Sequence, residues 1–180
     1  MTAQPAARPP RPTSNHLTQE LERVHDRLRS DLRACQELAV AVRAGAPAAD
    51  LRAALAHVAS RSPHLRLGVD CLRFCELVHR HHGGKDTQLF PVVRRTAPHL
   101  AQVVDRLEAD HRQVSRLLFR VEAAVDQLDE PDAGDAVELV AGALQALADH
   151  LLTHLAVEEE ALRPFLLSMD EWPADERDVR

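Results

Sequence analysis

The sequence contains no tyrosine, and only 3% of its 180 residues are aromatic, so tyrosyl-radical chemistry has no residue to carry it. Cysteine is scarce too. Three residues, an odd count, make no closed disulfide framework and suit a reducing compartment. Cys71 and Cys75 share a helix face without a second pair to complete a zinc site, and read as small buried apolar residues. No apolar run approaches the ~20 residues of a membrane span, and the N-terminus lacks the apolar centre of a secretion signal. These absences lead to the expectation of a cytoplasmic protein. The net charge is −6 and the basic residues form no stripe. That argues against nucleic acid or an anionic membrane as a partner.

Alanine, leucine, valine and arginine dominate, which favours helices over sheets. Residues 1–13 hold four prolines, Pro5, Pro9, Pro10 and Pro12, and are expected to form a disordered tail. Residues 14–169 read as one domain, and 170–180 as a charged C-terminal tail that frays. Four long helices are predicted. The first runs from about Ser14 to Arg43, capped by Ser14 or Asn15, with Leu17, Leu21, Val24, Leu28, Leu32, Cys35 and Leu38 as its apolar stripe. A short connecting helix over about Ala48 to Ala59 follows. The second long helix spans about His64 to Arg95, and Gly83-Gly84 inside it permits a bulge. The third starts at Pro98 and reaches about Leu128. The fourth runs from about Asp132 to Leu167, with Pro164 expected to kink or end it. Short connections favour antiparallel neighbours, hence an all-α, up-down-up-down four-helix bundle.

Eleven histidines are many for this length, and histidine is the commonest metal ligand. His25, His81, His111 and His154 each fall within the apolar stripe of a different helix, where an imidazole needs hydrogen-bond partners or a metal. Two segments repeat one pattern: His81-His82-Gly83-Gly84-Lys85-Asp86-Thr87-Gln88-Leu89-Phe90-Pro91, and His154-Leu155-Ala156-Val157-Glu158-Glu159-Glu160-Ala161-Leu162-Arg163-Pro164-Phe165. Four residues is about one turn, so His154 and Glu158 stack on one face and can grip one cation. His150 lies one turn before His154 and is a possible additional ligand. His79 and His82 are expected at the surface. His16, His57, His64 and His99 fall near caps or connectors. Glu159 and Glu160 read as solvent-facing, with Glu159 able to assist a metal, and Asp26, Glu108 and Asp110 as solvated faces.

This spacing, over roughly residues 14–167, resembles the hemerythrin-like family in its HHE cation-binding branch. The resemblance implies a four-helix bundle around non-heme iron, one or two ions. Ligands would come from His25, His81, position 85, His111, His154 and Glu158. It also implies a protein that binds, senses or consumes a small ligand such as oxygen, peroxide or nitric oxide. In the family the carboxylate at position 85 bridges the two irons, and here Lys85 stands in its place. Four outcomes are open. Lys85 turns outward and Asp86, five residues after His81, supplies the carboxylate. One metal is held by a subset of His111, His154, Glu158 and His150. Lys85 takes the cation's place and pairs with Glu158 in a metal-free core. Or Lys85 loses its proton and acts as a base or nucleophile. The alternative function is a bundle with a degenerate site serving as a regulatory or protein-interaction module.

Overall fold

The computed structural model describes residues 14–44, 63–129 and 134–172. The proline-rich N-terminus, the connecting helix at 48–59 and the end of the C-terminal tail lie outside them. Helix α1 spans His16–Arg43. Asn15 caps it, accepting from the Thr18 N–H while the Thr18 hydroxyl satisfies the cap's own N–H. Helix α2, Pro63–Gly84, continues through a π-helical turn, Lys85–Leu89, into α3, Phe90–Thr96. A 3₁₀ turn, Pro98–Leu100, leads to α4, Ala101–Val125, and a second, Asp126–Asp129, ends it. Helix α5 is Gly134–Leu166 and continues for two residues past Pro164.

Chain neighbours are also neighbours in space: α1 packs on α2 and α5, and α4 packs on α2 and α5. The ends confirm the alternating directions. Asn15 at the start of α1 donates to the Leu166 and Met169 carbonyls at the end of α5, and Arg43 reaches Glu138 at the opposite end. Trp172, expected to fray with the tail, donates to Glu20 at 2.6 Å and lies against α1. Gly68 lets α2 approach the end of α4, since a Cβ there would sit 3.2 Å from Val125 Cγ1.

Against the expectation of no span-length apolar run, α5 is long and apolar enough to cross a membrane by length and composition alone. One face of it instead belongs to the core, while Leu139 and Leu152 on the other face are exposed. Leu144, Leu147, Leu151, Leu155 and Leu162 are fully buried among the other helices.

The core has two apolar clusters. One gathers Leu28, Leu32, Phe74, Val78, Val114, Leu118, Leu151 and their neighbours. The other, at the opposite end, gathers Leu17, Leu21, Leu89, Phe90, Val104, Leu107 and Leu162. Along every long helix the passage from one cluster to the other runs through a polar residue. His25 lies between Leu21 and Leu28, His111 between Leu107 and Val114, and His154 with Glu158 between Leu151 and Leu162. The second rod contributes His81, His82 and Lys85 between Val78 and Leu89. A polar layer therefore crosses the bundle at one depth.

Candidate metal centre

The π turn sets the geometry of the second rod. The Phe90 N–H donates to the Lys85 carbonyl, five residues back. Local chemistry weakens the ordinary helical pattern here. Two glycines precede the turn, the Thr87 hydroxyl bonds the Gly83 carbonyl at 2.7 Å, and Pro91 has no N–H to donate. Gly84 itself has ordinary helical angles, and a Cβ at Gly83 or Gly84 would touch nothing. The bulge thus follows the glycines and is not built from their conformational freedom.

Adjacent helical residues point about 100° apart, so His81 and His82 straddle the line to the bundle axis. Both reach the interior. His82, expected at the surface, is 3% exposed. The four predicted histidines share a layer but divide into two groups. His25, His81 and Glu158 form one cluster, and His82, His111 and His154 the other, each with its ligand atoms within 4.8 Å of one another. Ligands sharing one ion at about 2.1 Å each lie at most about 4.2 Å apart. Three ligands around one such ion lie closer still, about 3.4 Å apart in a tetrahedral site, so each group must draw in by up to about an ångström or more to close on an ion.

The groups differ in what already satisfies them. In the second, the His111 Nδ1–H donates to Asp86 at 2.6 Å, which turns Nε2 inward with its lone pair free. His111 Nε2 and both ring nitrogens of His82 and His154 are buried, and among the described residues none has a hydrogen-bond partner. Burial depresses the basicity of His82 and His154, the latter to about 3, and Lys85 adds to the effect at both. These rings are neutral near pH 7 and present lone pairs. His82 stacks on His111 with centroids 4.0 Å apart, and Phe90 stacks on His111 at 5.3 Å.

In the first group the partners are in place. His25 Nδ1 donates to Glu159 at 2.8 Å, and Glu159 also accepts from Arg29. His25 Nε2 lies 3.0 Å from His81 Nε2 and 3.3 Å from Glu158 Oε2. Burial, then Lys85, pushes His81 down to about 2. Lys85, only 6% exposed, donates its ammonium to Glu158 Oε2. Burial works to raise the Glu158 carboxyl, but Lys85, helped by His25 and His154, holds it well below the carboxylate range. Burial also pulls Lys85 down, against the attraction of Glu158. The outward-turned lysine is thus not what forms; the pairing with Glu158 is.

The remaining predicted residues find other places. Asp86 orients His111 and joins neither cluster. His150 lies 3.9 Å from Asp110, outside both clusters. His79 is half-buried beside Glu122 and Phe119. Glu159 and Asp110, read as solvated, lie behind the histidines: Glu159 holds His25, and Asp110 Oδ2 is 3.7 Å from His154 Nδ1. Their signal in the sequence is adjacency. Glu159 follows Glu158, Asp110 precedes His111, and Asp86 stands one turn after His82.

A helical bundle with buried imidazoles and a carboxylate in one interior layer is a metal-binding architecture. Comparison with family descriptions matches residues 16–166 to the hemerythrin HHE cation binding domain, and the chain belongs to that family. Domains of this family bind metal ions, typically iron. Neither the curated proteins nor the solved structures yielded a match.

The donor set fits one ion better than two. His82, His111 and His154 offer buried, unpartnered nitrogens, and Glu158 Oε1 is likewise buried without a partner. The other group includes an ammonium. At an effective dielectric of about 20, a unit charge ~4 Å from a divalent ion costs on the order of 8 kcal/mol. Between them the two clusters hold a single carboxylate, Glu158.

Proposed function

We propose that this protein is a non-heme iron-binding, hemerythrin-like protein that binds, senses or consumes a small diatomic or peroxide ligand. His82, His111 and His154 would hold the ion, with Glu158 as the carboxylate donor. The observation that carries the reading is five buried ring nitrogens on those three histidines without partners, although burying unpaired polar groups is costly. Iron bound by such a set supplies redox chemistry and an open position for a small ligand. The protein's own groups do the rest. Asp86 fixes the His111 ring, the flanking apolar clusters exclude water, and Lys85 holds the Glu158 carboxylate through Oε2, leaving Oε1 without a partner. A cavity of about 170 Å³ between α1 and the π turn, lined by Leu21, Val24 and Trp172, reaches the polar layer at His81 and Lys85, on the side away from the His82–His111–His154 trio.

The test is to express the protein with iron, measure bound iron, and record the absorption spectrum of the reduced protein as oxygen, peroxide or nitric oxide is added under anaerobic control. Bound iron with a ligand-dependent band supports the reading. A second reading, a metal-free bundle acting as an interaction or regulatory module, is favoured by the Lys85–Glu158 pair, which neutralises that part of the core without a metal. It predicts no bound iron and a melting temperature unmoved by iron, because an ion that bound the folded state would raise it.

A further inference from the structure

We infer that the Lys85 ammonium is the resident cation of the His25–His81–Glu158 group, so that this chain takes one metal ion, at His82–His111–His154, where the family resemblance implies two. The inference rests on the metal-binding reading of that trio and adds its stoichiometry.

Three observations carry it. Lys85 donates to Glu158 Oε2, the oxygen that lies 3.3 Å from His25 Nε2, so the only carboxylate of that group already has its cation. Both nitrogens of the buried His25 have partners, Glu159 and His81, whereas every histidine of the trio has a buried nitrogen without one. Lastly, Lys85 is the only lysine in the sequence; all the other basic residues among the 22 are arginine. A compact ammonium on a flexible stem fits a metal-sized place between helices, where a planar guanidinium with five donors does not. The two halves of the layer thus hold different cations: one covalently attached to the chain, the other exchangeable.

The test loads metal-free protein with excess cobalt(II) or zinc(II), which need no oxidant, and with iron(II) without oxygen. After desalting, metal per chain is measured by elemental analysis and native mass spectrometry. One ion is expected in the wild type, two in Lys85→Glu and none in His111→Ala, with circular dichroism confirming the fold. Two ions in the wild type overturn the inference and leave metal binding standing. One ion in Lys85→Glu also overturns it, because the lysine is then not what excludes the second. No ion in the wild type or in Lys85→Glu removes the metal-binding reading itself. No ion in the wild type but two in Lys85→Glu overturns the inference, because Lys85 then excludes both. A second readout needs no variant. Lys85 carries the only side-chain amine, so peptide mapping after reductive methylation of the wild type separates it from the N-terminal amine and reports it. It should stay unmodified with and without zinc; modification only after zinc loading means that the ion displaces the amine, and sinks the inference.

Discussion

The two halves of the polar layer use the same residue type for opposite ends. On one side His25 bonds Glu159 and His81, and Lys85 pairs with Glu158. On the other, His82, His111 and His154 are as buried as His25, yet five of their six nitrogens have no partner among the described residues. Burial alone therefore does not identify a ligand. What separates the halves is whether the protein itself completes the hydrogen bonding, and one side chain, at position 85, decides that for the first half.

Lys85→Met gives the largest effect on that contrast. It leaves Glu158 buried without its cation, and loss of one partner of a buried pair costs about 3–5 kcal/mol. Urea denaturation of the metal-free protein should show it, and adding Glu158→Leu should recover most of the loss. A stable single variant would mean that the pair contributes little to the apo fold. Asp86→Asn should weaken zinc or cobalt binding by about 10–100-fold with little change in apo stability, since groups behind metal-bound histidines act at that scale. An equal effect from Glu159→Gln, behind His25, would erase the distinction between the halves.

Acid provides a weaker probe. Unfolded imidazoles take up protons below about 6.5, while folded His154 and His81 do so only near about 3 and about 2. Below pH 6.5 the unfolded state binds more protons. The stability of the metal-free protein is therefore complete above that pH, and falls by up to about 1.4 kcal/mol per unit for each of the two as pH drops toward 3. Melting curves between pH 7.5 and about 4.5 test the slope; a flat profile would place these rings in water. The smallest effect is expected from Gly84→Ala. With helical angles and open space around the added Cβ, it should stabilise by up to about 1 kcal/mol and leave the π turn and metal uptake intact.

The bundle was legible because long stripes of leucine and valine and the Asn15 cap act through short-range periodicity. The polar layer was legible for the same reason: His25, His111 and His154 interrupt those stripes. His82 was not. Beside His81 it falls off the stripe when a helix is treated as having a single inward line, whereas a rod between two neighbours has two. Asp110 stayed hidden, and Asp86 and Glu159 were singled out without their partners, because the role of each depends on which helix faces it, which no single-helix pattern encodes. The lysine pairing stood among the open outcomes; choosing it required knowing that position 85 points inward, toward Glu158.

The most direct measurement is anomalous diffraction from crystals of the wild-type protein loaded with zinc or iron, collected at the edge of that metal. The account predicts one anomalous peak, within bonding distance of His82, His111 and His154, with Lys85 still on Glu158. Two peaks flanking Glu158, with the Lys85 amine swung away, would contradict it.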